Sequence, residues 1–133
     1  MNFLFVAIGS AIGGTTRWAI GGWLQRLAGG APPAVFPAGT LAVNASGSFV
    51  LGVLAAMMAR EGGEQDTIVR LLLAVGFCGG YTTFSTFSLD TVALFETRGW
   101  GVAAANVIAS VTLGLAGVAV GMIVGRALFG RAA

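Results

Sequence analysis

The sequence predicts an all-α membrane protein with four transmembrane helices per subunit, the third of them broken near its middle. Three observations predict it. Apolar residues make up 56% of the 133 positions and charged residues only 9%, where a soluble domain carries about 25% charged. The apolar residues gather into four stretches, roughly 3–25, 37–59, 69–95 and 101–127, each meeting the length of about 20 residues that a bilayer crossing requires. Twenty-two glycines supply the small residues that let membrane helices approach closely. Residues 1–133 therefore read as a single four-helix transmembrane domain.

The same composition excludes other classes. The formal charge is +2, and the seven basic residues, all arginine, form no patch, which excludes a nucleic-acid partner. There is no histidine, the commonest metal ligand, and Cys78 has no second cysteine to pair with. No Ser–His pair, metal-ligand cluster or strand-borne phosphate loop is present, so the chain does not read as an enzyme.

The first stretch lacks a basic leader and runs past Arg17, as a retained span does and a cleaved signal does not. Gly9 and Gly13 stand at small-xxx-small spacing. Arg17 lies in the second half, where an unpaired charge is costly, so it should face protein or a wet vestibule, or snorkel. Trp18 and Trp23 suit an interface belt. Ala28–Pro37, with paired glycines and prolines, is a turn.

The second stretch carries Asn44 and Ser48 one helical turn apart, with Gly52 continuing that face. A buried asparagine asks for a hydrogen-bond partner. Arg60–Arg70 is the only charged connection, and most of it reads as solvated loop. The third stretch holds Gly76-Phe77-Cys78-Gly79-Gly80-Tyr81-Thr82-Thr83-Phe84-Ser85-Thr86-Phe87-Ser88. Its glycines loosen the backbone and its threonines compete for backbone hydrogen bonds, which predicts a break near the bilayer centre. Carbonyls freed at that depth need protein, water or an ion. Phe84 and Phe87 project from one face, flanked by hydroxyls. Asp90 is a charge near the helix end. In the fourth stretch Asn106 and Ser110 share a face, Thr112 lies off it, and Gly117, Gly121 and Gly125 form a seam.

With four spans, both termini and the central connection fall on one side with Arg60, Arg70, Arg126 and Arg131, while Arg26 and Arg98 fall on the other. The bias leans toward cytoplasmic termini and is slight enough to permit insertion in both orientations. Within the spans the polar groups are neutral donors, among them Asn44, Ser85, Asn106, Ser110 and Thr112, beside phenyl rings with electropositive edges. Such a lining replaces the hydration of a small anion without holding it as a lysine or arginine would.

The Gly76–Ser88 run resembles the signature of the Fluc (CrcB-type) fluoride channels, as does Gly39-Thr40-Leu41-Ala42-Val43-Asn44-Ala45-Ser46-Gly47-Ser48. Gly9–Trp18 and Asn106–Gly114 resemble that family's first and fourth helices. The resemblance implies an antiparallel dual-topology homodimer in the bacterial plasma (inner) membrane that exports fluoride passively through two pores. It implies a structural Na+ at the dimer centre, held by backbone carbonyls of Gly79 and Thr82 from each subunit. It places Asn44, Phe84, Phe87, Ser85, Asn106, Ser110 and Thr112 on the fluoride pathway and Arg17 at the vestibule. The chain has Asn106 where some members carry a tyrosine, Gly114 where some have a serine, and Asp90 where a glutamate often occurs. Two rivals compete. A small multidrug-resistance-type antiporter needs a carboxylate in the first helix, and the first two spans have none. A non-transporting scaffold explains the glycine seams and leaves the phenylalanines and asparagines unused.

Overall fold

The computed structural model describes residues 2–59 and 64–129. Arg60, Glu61 and Arg131 lie outside them. Among the described residues there is no strand, and four helical spans are long and apolar enough to cross a membrane: Asn2–Leu27, Ala38–Met58, Thr67–Arg98 and Trp100–Phe129. Each corresponds to one of the four apolar stretches.

Helix α1 (Asn2–Leu27) ends at a connection folded around one side chain. Gln25 Nε2 donates to the carbonyls of Gly30 (2.7 Å) and Phe36 (3.1 Å), and its Oε1 accepts the Gly39 N–H (2.9 Å). That last bond satisfies an orphan donor in the first turn of α2 (Ala38–Met58), which Pro37 cannot cap with a side chain. The third span begins as α3 (Glu64–Val69), widens into a π-helical segment (Arg70–Cys78), and returns to one α-helical turn, α4 (Gly79–Tyr81). After Thr82 and Thr83 it continues as α5 (Phe84–Arg98). Gly99, at φ +85°, turns the chain into α6 (Trp100–Phe129). Helix α3 takes up the later part of Arg60–Arg70, a connection that reads mostly as loop from the sequence.

Two glycine-mediated crossings hold the bundle. Helix α2 packs most extensively on α6, and α1 packs on the π segment and α4. A Cβ at Gly9 or Gly13 would fall on the carbonyls of Leu72 or Phe77, and one at Gly52 or Gly121 on those of Val118 or Phe49. The backbones therefore touch, and dispersion replaces the hydrophobic drive that lipid cannot provide. The third span changes partner along its length. Its first half lies on α1, whereas α5 lies on α6. The change falls at Thr82–Thr83. Trp18, Trp23 and Trp100 stand on the surface at 79%, 55% and 74% exposure.

Candidate functional site

At the change of partner the backbone leaves the helix. Thr82 takes φ −89°, ψ 159° and Thr83 takes φ −151°, ψ 115°. Polar groups released there must find new partners in a low-dielectric interior. Asn44 serves Thr83 twice: Nδ2 donates to the Thr83 carbonyl at 3.0 Å, and Oδ1 accepts the Thr83 N–H at 2.7 Å. Thr83 Oγ1 accepts the Thr86 N–H at 3.1 Å, capping α5. Thr82 turns back, its N–H and Oγ1 both donating to the Cys78 carbonyl at 3.0 and 2.9 Å.

These choices leave two carbonyls without their helical donors. In an α-helix the Gly79 carbonyl would take the Thr83 N–H and the Thr82 carbonyl the Thr86 N–H. The first goes to Asn44 and the second to Thr83 Oγ1. Arg17 Nη1 donates to the Thr82 carbonyl at 3.2 Å, which leaves that oxygen a second lone pair. Arg17 thus faces protein, one of the placements its position in the first span required.

A cavity of about 260 Å³ opens beside the break, lined among others by Asn44, Ser48, Thr82, Phe84, Phe87 and Ser110. The Phe84 and Phe87 ring centroids are 5.5 Å apart and the planes tilt by 45°. Phe84 is 80% exposed at the lip. Gly47 lets Thr82 reach the cavity, because a Cβ there would collide with the Thr82 methyl. Gly114 also borders it, so its hydroxyls come from Ser48, Ser110 and the two threonines. Ser48 was visible in sequence as the i,i+4 companion of Asn44, but was not placed among the pathway residues.

A second cavity, about 480 Å³, lies across Thr83 and is lined by Arg17, Gln25, Arg26, Thr40, Thr86 and Asp90 among others. Thr83 borders both. Asp90 is buried and accepts a 2.8 Å hydrogen bond from Thr40 Oγ1. Its neighbour is therefore a hydroxyl of α2, where the sequence suggested a charge near the helix end.

The structure brings Asn44, Phe84, Phe87 and Ser110 to the smaller cavity, places Thr82 beside them, and gives Arg17 to the larger one. Ser85, Asn106 and Thr112 border neither. Ser85 is exposed with its hydroxyl 3.2 Å from Thr83 Oγ1, Thr112 is exposed, and Asn106 is 1% exposed with Nδ2 donating to Thr91 Oγ1 at 2.8 Å. Gly79 is exposed and lies off both cavities. The smaller cavity is lined by one amide, hydroxyls, two rings and the aliphatic Leu51 and Val111, without an ionised side chain. Such a surface suits a small anion in transit better than a tightly held ligand.

Four apolar helices, with two cavities set between them at a break in the third span, define a multi-pass helical membrane protein. Residues 4–122 match the family described as CrcB-like protein, Camphor Resistance (CrcB), and the chain belongs to that family. It is 45% identical over 129 residues to a protein of Agrobacterium fabrum (strain C58) named fluoride-specific ion channel FluC, covering 97% of this chain and 99% of that one. It is 51% identical over 126 residues to a FluC of Rhizobium leguminosarum bv. trifolii, covering 94% and 96%. A FluC of Paracoccus denitrificans is 42% identical over 128 residues, covering 96% and 97%.

Proposed function

We propose that this protein is a fluoride-selective channel of the bacterial plasma membrane that lets the anion leave the cytoplasm down its electrochemical gradient. The observation that carries this reading is the cavity joining Asn44, Phe84, Phe87 and Ser110, in a chain whose relatives bear the name of fluoride-specific channels. Hydrogen fluoride crosses bilayers as a neutral acid and ionises inside, where the anion is trapped. An inside-negative potential drives a single negative charge outward at about 2.3 kcal/mol per 100 mV, so neither nucleotide nor coupling ion is needed. Fluoride gives up water for the Ser110 hydroxyl, the remaining amide N–H of Asn44 and the edges of the two rings. A narrow path favours it over the larger chloride.

The working unit is an antiparallel homodimer with two pores. Phe84, 80% exposed in the single chain, is then covered by the second copy, which completes the wall of the pathway. The break in the third helix sits at the dimer centre. There the carbonyls of Gly79 and Thr82 fit a sodium ion, because both have lost the amide that a helix would give them. Two such oxygens from each subunit make a four-oxygen cage. When bound, the ion neutralises buried carbonyl dipoles and fastens the two subunits. Asn44 and Thr83 Oγ1 take up the amides that would otherwise occupy those carbonyls. The guanidinium of Arg17 steadies the Thr82 peptide and lends the adjoining vestibule a positive charge that draws anions in.

The test is efflux from liposomes loaded with fluoride and chloride, read with ion-specific electrodes under a potassium–valinomycin potential. Fast release of fluoride alone, without a proton gradient, is the expected result. Equal chloride release would defeat the selectivity, and silence from folded dimer would defeat the channel.

A further inference from the structure

Helices α5 and α6 run antiparallel, joined by the one-residue turn at Gly99. They meet in a polar contact: Asn106 Nδ2 donates to Thr91 Oγ1 at 2.8 Å. Thr91 Oγ1 in turn donates to the Phe87 carbonyl, one turn back, at 2.7 Å. Asn106 is 1% exposed, among the most deeply buried side chains described. One turn from Thr91 along α5 stands Phe87, and one turn from Asn106 along α6 stands Ser110. In an antiparallel pair those two steps point the same way along the bundle. They arrive at the same cavity, which both Phe87 and Ser110 line.

Resting on the channel reading above, we infer that Asn106 is a positioning residue: through Thr91 it fixes the register at which the Phe87 ring faces the Ser110 hydroxyl. Apolar packing between α5 and α6 is tolerant of small slips, because lipid and side chain are alike in polarity. A buried amide–hydroxyl bond is not, since a slip leaves a donor unpaired in a dry interior. The relay also explains why the hydroxyl is on Thr91. A threonine bonded to its own i−4 carbonyl bends a helix locally, and here the carbonyl so engaged belongs to Phe87 itself. Asn106 does this without bordering the cavity, so it governs the geometry of the path and touches no ion.

The experiment is a mutant cycle in liposomes with purified dimer, reading fluoride efflux and the fluoride-to-chloride ratio for Asn106→Leu, Thr91→Val and the double variant. Both singles are expected to lower fluoride efflux by roughly tenfold and to lower the ratio. The double should be no worse than either single, because both cut one relay. Thr91→Ser, which keeps the hydroxyl, should restore flux and ratio. A defect in Asn106→Leu with none in Thr91→Val would overturn the inference, as would multiplying defects in the double. Loss of efflux with an unchanged ratio, in protein that elutes as dimer, would count against register control. The ¹³C shift of the Phe87 carbonyl should move in both singles, and an unmoved shift rejects the relay. That shift is read whether or not the unaltered protein conducts, so failure of the channel reading and failure of the relay are told apart.

Discussion

Asn44 of α2 and Thr83, in the extended break before α5, are joined by two hydrogen bonds that together replace a strand partner: Nδ2 to carbonyl at 3.0 Å and N–H to Oδ1 at 2.7 Å. The extended peptide at Thr83, 8% exposed, thus has both polar groups satisfied by a single amide. An amide offers a donor and an acceptor side by side on one carbon, which matches a peptide's own pair, and glutamine, the other amide side chain, is longer by a methylene.

Asn44→Leu should therefore do two things. It leaves the buried Thr83 N–H without a partner, which costs about 1–3 kcal/mol, and it removes an amide from the cavity wall. Thermal unfolding of the detergent-solubilised protein should fall by a corresponding amount, with efflux lost. Asn44→Asp keeps the acceptor but sets a carboxylate against the Thr83 carbonyl and against any anion in the cavity. It should lose conduction at least as completely. Full efflux in Asn44→Asp would remove this position from the pathway.

Phe84 and Phe87 make a different prediction, because neither ring is asked to hold the fold. Phe84 is 80% exposed in the single chain and the rings meet at 5.5 Å. Phe84→Ile and Phe87→Ile keep the apolar bulk and discard the electropositive ring edge. Fluoride efflux should fall by roughly tenfold or more while size-exclusion chromatography still reports a dimer. Unchanged efflux in both would take the rings out of the path.

The glycine crossings allow an internal control. A Cβ at Gly121 would meet the Phe49 carbonyl at the α2–α6 contact, whereas at Gly14 nothing stands within 4 Å. Gly121→Ala should destabilise by about 1–3 kcal/mol through overpacking, and Gly14→Ala should stay within about 1 kcal/mol of the parent, helped by helix propensity. Both are read from thermal unfolding in one detergent. Equal losses would mean that the crossing is looser than it is drawn.

Sequence and structure part company in an orderly way. Apolar length alone marked the four helices, since a span must satisfy its own backbone. The spacing of Gly9 and Gly13, and of Gly117, Gly121 and Gly125, marked where backbones touch. Gly79, Gly80, Thr82 and Thr83 marked the stretch in which the chain leaves the helix. What stayed hidden depends on register between helices. Nothing in the spacing of Asn106 announces Thr91 as its partner, and Asn44 asked for a partner without naming Thr83. The π-helical segment at Arg70–Cys78 was hidden too, because i→i+5 bonding carries no composition of its own. The Thr40–Asp90 bond likewise needed the fold to bring α2 and α5 together.

The carbonyls of Gly79 and Thr82 support a last prediction, on sodium. Their helical amides are spent on Asn44 and Thr83 Oγ1, so an unliganded dimer would bury dipoles with too few donors. An ion that binds only the assembled dimer stabilises it by mass action, in proportion to the logarithm of its concentration once above Kd. The midpoint of thermal unfolding should therefore climb with Na+ and not with N-methylglucamine at equal ionic strength. The ligands are backbone oxygens, so Thr82→Ala, which loses the hydroxyl bond to Cys78 and the methyl against Gly47, should shift the midpoint while keeping its sodium dependence. Arg17→Gln removes a positive charge from the Thr82 carbonyl and should raise the apparent sodium affinity. Midpoints that track ionic strength alone, whatever the cation, would mean that no sodium sits at these carbonyls.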